Sequence, residues 1–243
     1  EVTIGVCSVE YGREQKKIII CPFRLLERQQ LFMDCIHLLA VHEPGNELHI
    51  IPEVTIPGGS VDYVLVSARK GKIRDLVGIE TQTLDTTGAV WPIRQGFLRN
   101  VGAAVPASND KGFGINWKMT AKTTLVQLYH KLQTFENINK HLTLVIQDHL
   151  LTYMRQMFRF DSLREARIGD SWHIHAYELG QLENGSLSLD LRHRLSTDVR
   201  GLGESLGLRS DPNVEWEQLV ALLETKMGDE TRLDFSKLTL NRG

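Results

Sequence analysis

The sequence predicts an α/β (α+β) fold: a central mixed sheet flanked by helices, with an amino-terminal hairpin and a carboxy-terminal helical extension. Three observations support this. Ser60 to Ala68 and Leu76 to Thr83 are rich in Val, Leu and Ile and flank Lys70-Gly71, so they read as two central strands joined by a tight turn. Leu25 to Val41 and Asn116 to Phe135 repeat apolar residues at helical spacing. Further apolar runs at 47–56, 141–147 and 171–179 add strands on either side of those helices.

In chain order, Val2-Thr3-Ile4 and Lys17 to Ile20 are short apolar runs split by a polar turn near Gly12, the pattern of a hairpin. It brings Cys7 and Cys21 towards each other. They are either two small buried hydrophobes or half of a four-cysteine metal site whose other ligands precede Glu1. Since the first residue is Glu1 rather than Met, upstream residues are expected. The helix over 25–41 presents Leu31, Cys35, Leu38 and Leu39 as one stripe and stops at Pro44-Gly45-Asn46, which places Cys35 in the core. Glu47 to Ile56 is the next strand and carries Glu53 just after Pro52.

The stretch 58–88 is the most informative. Side chains alternate along a strand, so Glu80 and Gln82 share one face, opposite Ile79 and Thr81. Asp62 lies on the face opposite Val61, Tyr63 and Leu65. Carboxylates in strands this apolar are costly unless a cation or ligand compensates them; the alternative is two solvated strand ends. Residues 85–110 read as loop, holding Arg94, Gln95, Arg99 and Asn100 among Gly88, Pro92, Gly96, Gly102 and Pro106. The helix over 116–135 buries Ala121, Leu125, Leu128, Leu132 and Phe135. Lys118 and Lys122 stack four apart on another face, as a solvated basic face or as phosphate contacts.

On the strand at 171–179, His173, His175 and Tyr177 share what reads as a polar sheet face, with no third metal ligand placed. Gly201-Leu202-Gly203 with Gly207 mimics a dinucleotide loop and fails it, since the third glycine is one residue late and no strand is seen before it. Asp211 and Pro212 are placed to start a last helix with Trp216, Leu219, Val220 and Leu223 as its buried stripe. No linker divides the chain. The expectation is one domain over 1–243, comprising a hairpin (1–22), a core (23–180) and an extension (181–243).

The 243 residues can bury a sizeable core, and 42% hydrophobic with 24% charged residues is ordinary for a soluble globular protein. A net charge of −2 excludes blanket coating of nucleic acid but not a local basic cleft. Three cysteines form no disulfide framework, so a reducing cytoplasm is the expected compartment. No apolar run reaches the 18 residues of a membrane span, and no signal-peptide pattern is seen.

Asp62 followed by Glu80-Thr81-Gln82 resembles the PD-(D/E)XK nuclease signature, with Gln82 in place of the lysine. Four strings resemble the NotI-type restriction endonucleases: IIICPFRLLE (18–27), GGSVDYVLV (58–66), GIETQTLDTTG (78–88) and FGINWKMTAKT (113–123). They cover roughly the first half of the chain; the last hundred or so residues carry no resemblance. The resemblance implies a type II restriction endonuclease that hydrolyses phosphodiesters of double-stranded DNA at specific sequences with Mg2+. It implies Asp62, Glu80 and the Thr81 carbonyl as Mg2+ ligands, and a cysteine-bound Zn2+ or Fe near the amino terminus, of which Cys7 and Cys21 would be part. Hard oxygen ligands suit Mg2+, which activates water and neutralises charge on the phosphate.

Gln82 is neutral and cannot act as a base, but it can orient the attacking water. Glu53 is a candidate outer carboxylate, and Lys118 or Lys122 is the candidate for the missing positive charge. Arg94, Gln95 and Arg99 are candidate base or phosphate contacts. A symmetric site is cut most simply by a homodimer. Two other readings stay open: a DNA-binding protein on this fold with weakened catalysis, and a repair or mobile-element nuclease of looser specificity.

Overall fold

The computed structural model describes residues 7–105, 112–181, 187–208, 216–228 and 231. Residues 1–208 and 209–243 form two compact units. The first contains a seven-stranded mixed sheet with helices on both faces.

The amino-terminal hairpin pairs β1 (Ser8–Tyr11) with β2 (Lys16–Ile19) around Gly12, whose φ of +78° suits a residue without a Cβ. Val2-Thr3-Ile4, expected in its first strand, lies outside the described residues. The single helix expected over 25–41 is instead a chain of short pieces. Two 3-10 turns, Pro22–Arg24 and Glu27–Gln29, precede α1 (Gln30–Cys35), and a third (Ile36–Leu38) follows it. Arg28 and Gln29 have φ of +52° and +57°, which interrupts the i→i−4 ladder before α1 begins. Leu25, Leu31, Cys35 and Leu38 are nonetheless buried, so the apolar stripe meets the sheet without a continuous helix.

β3 (Glu47–Ile56), β4 (Gly59–Arg69) and β5 (Lys72–Gln82) form an antiparallel meander, as the alternation of their side chains requires. Lys70 and Gly71 both have positive φ, the conformation of a two-residue turn whose twist matches the flanking strands. Next come β6 (Thr86–Thr87), α2 (Trp91–Asn100), β7 (Gly114–Ile115) and α3 (Trp117–Asn137). Then follow β8 (His141–Gln147), α4 (Asp148–Met157), β9 (Arg164–Glu165), β10 (Trp172–Gln181), β11 (Leu187–Thr197) and α5 (Val199–Ser205). The sheet order is β3-β4-β5-β8-β10-β11-β9; β8 runs parallel to both β5 and β10 and the other pairs are antiparallel. The sheet therefore continues past residue 180 into the segment expected to be a helical extension. In the second unit α6 spans Trp216–Glu224, with Leu219 and Leu223 exposed rather than buried; Asp211 and Pro212 lie outside the described residues.

The position of α3 decides the geometry of the site. On one face of the sheet, Ala121, Leu125, Leu128, Leu132 and Phe135 pack with Val64, Val66, Leu142, Leu144 and Ile146. The helix lies along β5: Thr120 Oγ1 donates to Asp85 (3.0 Å), Lys131 reaches Glu80, and the Phe135 ring covers Gly78. Fifteen helical residues rise about 22 Å and seven strand residues span about 23 Å, so contact holds along the whole antiparallel length. A Cβ on Gly78 would overlap the Phe135 ring, and one on Gly58 would lie 2.7 Å from the His130 carbonyl oxygen. Both glycines set how closely α3 approaches.

Candidate active site

Asp62 and Glu80 stand side by side because of strand register. Tyr63 pairs with Ile79 and Val64 with Gly78, so one more step along β4 and β5 sets Asp62 opposite Glu80, on the face that α3 covers. On the other side of β4, Pro52 pairs with Tyr63 and Val54 with Val61, which puts Glu53 across from Asp62. The three carboxyl-bearing positions thus form a row across three strands. Glu53 is exposed and has φ of +53°, a left-handed backbone that costs a non-glycine residue on the order of 1 kcal/mol. Burial, and then the charges of Asp62 and Glu53, raise the pKa of the Tyr63 phenol, so both carboxylates act on one neighbour.

Asp62 is held by the residue that follows Glu80. Its Oδ2 accepts from the Thr81 backbone N–H and from Thr81 Oγ1, both at 2.8 Å. Glu80 is 9% exposed, and its Oε1 accepts from Lys131 Nζ at 2.7 Å. Burial raises the Glu80 carboxyl to about 7; the Lys131 ammonium opposes the shift and the Asp62 charge adds to it. The Glu80 carboxylate also accepts from the Asp62 backbone N–H, which holds the two residues together across the strand pair. Gln82 is half-buried, and its Nε2 donates to the Thr83 carbonyl at 2.7 Å.

Lys131 is the site residue that sequence reasoning missed. Lys118 and Lys122 are exposed near the start of α3, and Lys122 lies nine residues, about 13 Å of helix, before Lys131. A signal was present: Lys131 lies three residues after Leu128 and four before Phe135, on the buried side of the helix. An ammonium there is costly without a partner, which is the argument already applied to Asp62 and Glu80.

The segment expected as loop contains α2. Arg94 and Gln95 are buried in it: Arg94 Nη1 donates to Gln95 Oε1 at 3.1 Å, and the guanidinium lies over the Trp91 ring, 4.5 Å from its centroid. Arg99 and Asn100 are exposed at its carboxy-terminal end. Cys7 is exposed and Cys21 partly so, which rules out the pair as buried hydrophobes; the Cys7 carbonyl accepts from Ile20 N–H at 3.2 Å, so the hairpin does bring the two segments together. Cys35 is fully buried, as expected. His173 and His175 are not on a polar face but fully buried: His175 lies against Cys35 and His37, and His173 against His141, with its Nε2 2.9 Å from the Asp170 carbonyl. Gly201 and Gly203 belong to α5, whose amino-terminal N–H groups Asp198 caps by accepting from Gly201 N at 2.8 Å.

Among the described residues, no group of three or more His, Cys, Asp or Glu side chains is arranged to hold a metal ion, and no helix is long and apolar enough to cross a membrane. No curated protein matches the chain. The family model described as Restriction endonuclease NotI matches residues 3–186, a span that contains Asp62, Glu80, Gln82 and Lys131 and about three quarters of the chain. The chain belongs to the NotI restriction endonuclease family.

Proposed function

We propose that the protein is a type II restriction endonuclease of the PD-(D/E)XK kind, in its E-x-Q form, cutting double-stranded DNA at specific sequences with Mg2+. The supporting observation is the pairing of Asp62 and Glu80 across β4 and β5, with Thr81 fixing one carboxylate and Lys131 the other. The donor set fits Mg2+: Asp62 Oδ1, Glu80 Oε2 and the Thr81 carbonyl are hard oxygens. Two carboxylates rather than three suit an ion that keeps several of its own waters. When bound, the ion lowers the pKa of a water and neutralises charge on the phosphate.

The chain's own residues supply the rest of the mechanism. Thr81 holds Asp62 in place through two hydrogen bonds, so the carboxylate is oriented before substrate arrives. Gln82 has its amide nitrogen on Thr83 and its carbonyl oxygen available to accept from the attacking water. Glu53, across β4 from Asp62, is the candidate outer carboxylate that orients that water. DNA approaches along the row at the start of β4, Arg99 is exposed for base or phosphate contact, and Arg94 and Gln95 reach DNA only if they part from each other. Cys7 and Cys21 are the candidate ligands of a structural Zn2+ or Fe. A two-fold homodimer is the simplest assembly for cutting both strands of a symmetric site.

Plasmid digestion with Mg2+, with and without EDTA, tests the proposal. Discrete bands that vanish with EDTA and with Asp62→Ala or Glu80→Ala are the expected result. A smear would mean looser specificity, a gel shift without cutting would mean a binding protein, and full activity in either variant would mean the site is elsewhere.

A further inference from the structure

Lys131 cannot hold Glu80 at 2.7 Å and also leave that carboxylate fully free for a dication. The ion pair is almost enclosed, with side-chain exposures of 10% and 12%. It is also firmly mounted. Thr134 Oγ1 donates to the Pro57 carbonyl at 2.6 Å, and the His130 carbonyl lies against Gly58, so α3 is pressed onto the turn between β3 and β4. The Lys131 stem then crosses Gly59, with Cε 3.1 Å from where a Cβ would be. Unlike Lys118 and Lys122, this lysine is led to the carboxylates by main-chain contacts.

We propose that Lys131 couples metal binding to DNA binding: it occupies Glu80 in the DNA-free enzyme and passes to a phosphate oxygen when DNA enters, releasing Glu80 to the metal. This rests on the reading of Asp62 and Glu80 as metal-holding residues. With both carboxylates ionised, Asp62, Glu80 and Lys131 together carry a charge of −1. Adding a dication without DNA leaves +1, with the metal and the ammonium competing for one carboxylate. The single negative charge of a phosphodiester brings the assembly to zero and gives the ammonium a second partner. The coupling is reciprocal: DNA tightens metal binding and metal tightens DNA binding by the same factor, of about 10-fold or more. Lys131 is thus a positioning residue in the free enzyme and a phosphate-binding one in the complex.

Calorimetric titration of the full chain with Ca2+ tests this, with and without a duplex carrying a mapped cleavage site. Wild type binds Ca2+ weakly alone and about 10-fold or more tighter with DNA. Lys131→Met binds Ca2+ more tightly than wild type without DNA and loses the gain on adding DNA. Lys131→Gln, which keeps a hydrogen bond to Glu80 without the charge, shifts the same way and serves if the methionine variant does not fold. If Glu80→Gln abolishes Ca2+ binding but both lysine variants keep wild-type affinity and coupling, the role of Lys131 is overturned while the site stands. If Glu80→Gln binds Ca2+ as wild type does, the metal site itself is misplaced.

Discussion

Replacing His175 by leucine turns a buried histidine into a measurable pH dependence of stability. His175 is fully buried on β10; its Nδ1 lies 3.7 Å from Cys35 Sγ, and its Nε2 has no hydrogen-bond partner among the described residues. Burial lowers its pKa from 6.5 to about 3, and the positive charges of Arg194, His173 and His37 act in the same direction. Between those two pH values the unfolded chain binds a proton that the folded chain refuses. Its contribution to stability is therefore fully present above 6.5 and is lost as the pH falls. From pH 7.5 to 4.5 the loss from this one residue is about 2.5 kcal/mol. Leucine has a similar volume and no proton to bind, so the stability of wild type relative to His175→Leu falls by that amount over the range. Urea unfolding at several pH values reads this as a relative midpoint shift of about 1 M. His173, lowered to about 4, and Glu80, raised to about 7 and titrating in the opposite sense, are common to both proteins and drop out of the difference. A gap that does not change with pH would refute the argument.

Gln82→Ala should slow single-turnover cleavage at saturating Mg2+ by about 10²-fold or more while Ca2+ affinity is kept, as for a misplaced water; an unchanged rate would make Gln82 a bystander. Lys122→Ala should weaken binding to all DNA sequences alike and lower the slope of log affinity against log salt by about one phosphate contact; an unchanged slope would leave that exposed face in solvent. Gly78→Ala should destabilise the fold by about 1–3 kcal/mol, the usual cost of overpacking, because the new methyl meets the Phe135 ring and Leu142. Phe135→Leu added to it should recover part of that loss in thermal unfolding, and no recovery would mean the strain lies elsewhere.

The meander and the two carboxylates were readable because each depends on neighbours in sequence. Alternating side chains, a Lys70-Gly71 turn and charges within apolar strands are local facts, and β3 and β8 begin and end where that pattern does. What was not readable depended on contacts far along the chain. α2 was obscured by Pro92, Gly96 and Gly102, although Pro92 is tolerated in the first turn of the helix. α4 starts at Asp148 with no break after β8, so its stripe of Leu150, Leu151 and Met154 had no boundary to announce it. β11 carries Asp190, Arg192, His193 and Arg194 on a largely exposed stretch, and consecutive charged residues hide the alternation of a strand. The histidines of β10 read as a polar face because the groups that bury them lie far along the chain: Cys35 and His37 meet His175, and His141 with the Asp170 carbonyl meets His173.

Lys131 shows most clearly where local reading ends. The E-x-Q pattern on β5 lacks a cation, and reasoning from sequence looked for one on the exposed face of the next helix, at Lys118 and Lys122. The lysine that reaches Glu80 is on that same helix but further along, because α3 runs antiparallel to β5. Asp85 meets the first turn of α3, so Glu80, five residues earlier on the strand, must meet the helix about eleven residues later. Thr120 plus eleven is Lys131. The direction of α3 follows from β8 being parallel to β5, since the connection must return to the edge where β5 began. Given that one fact of topology, the cation could have been placed by counting along the helix.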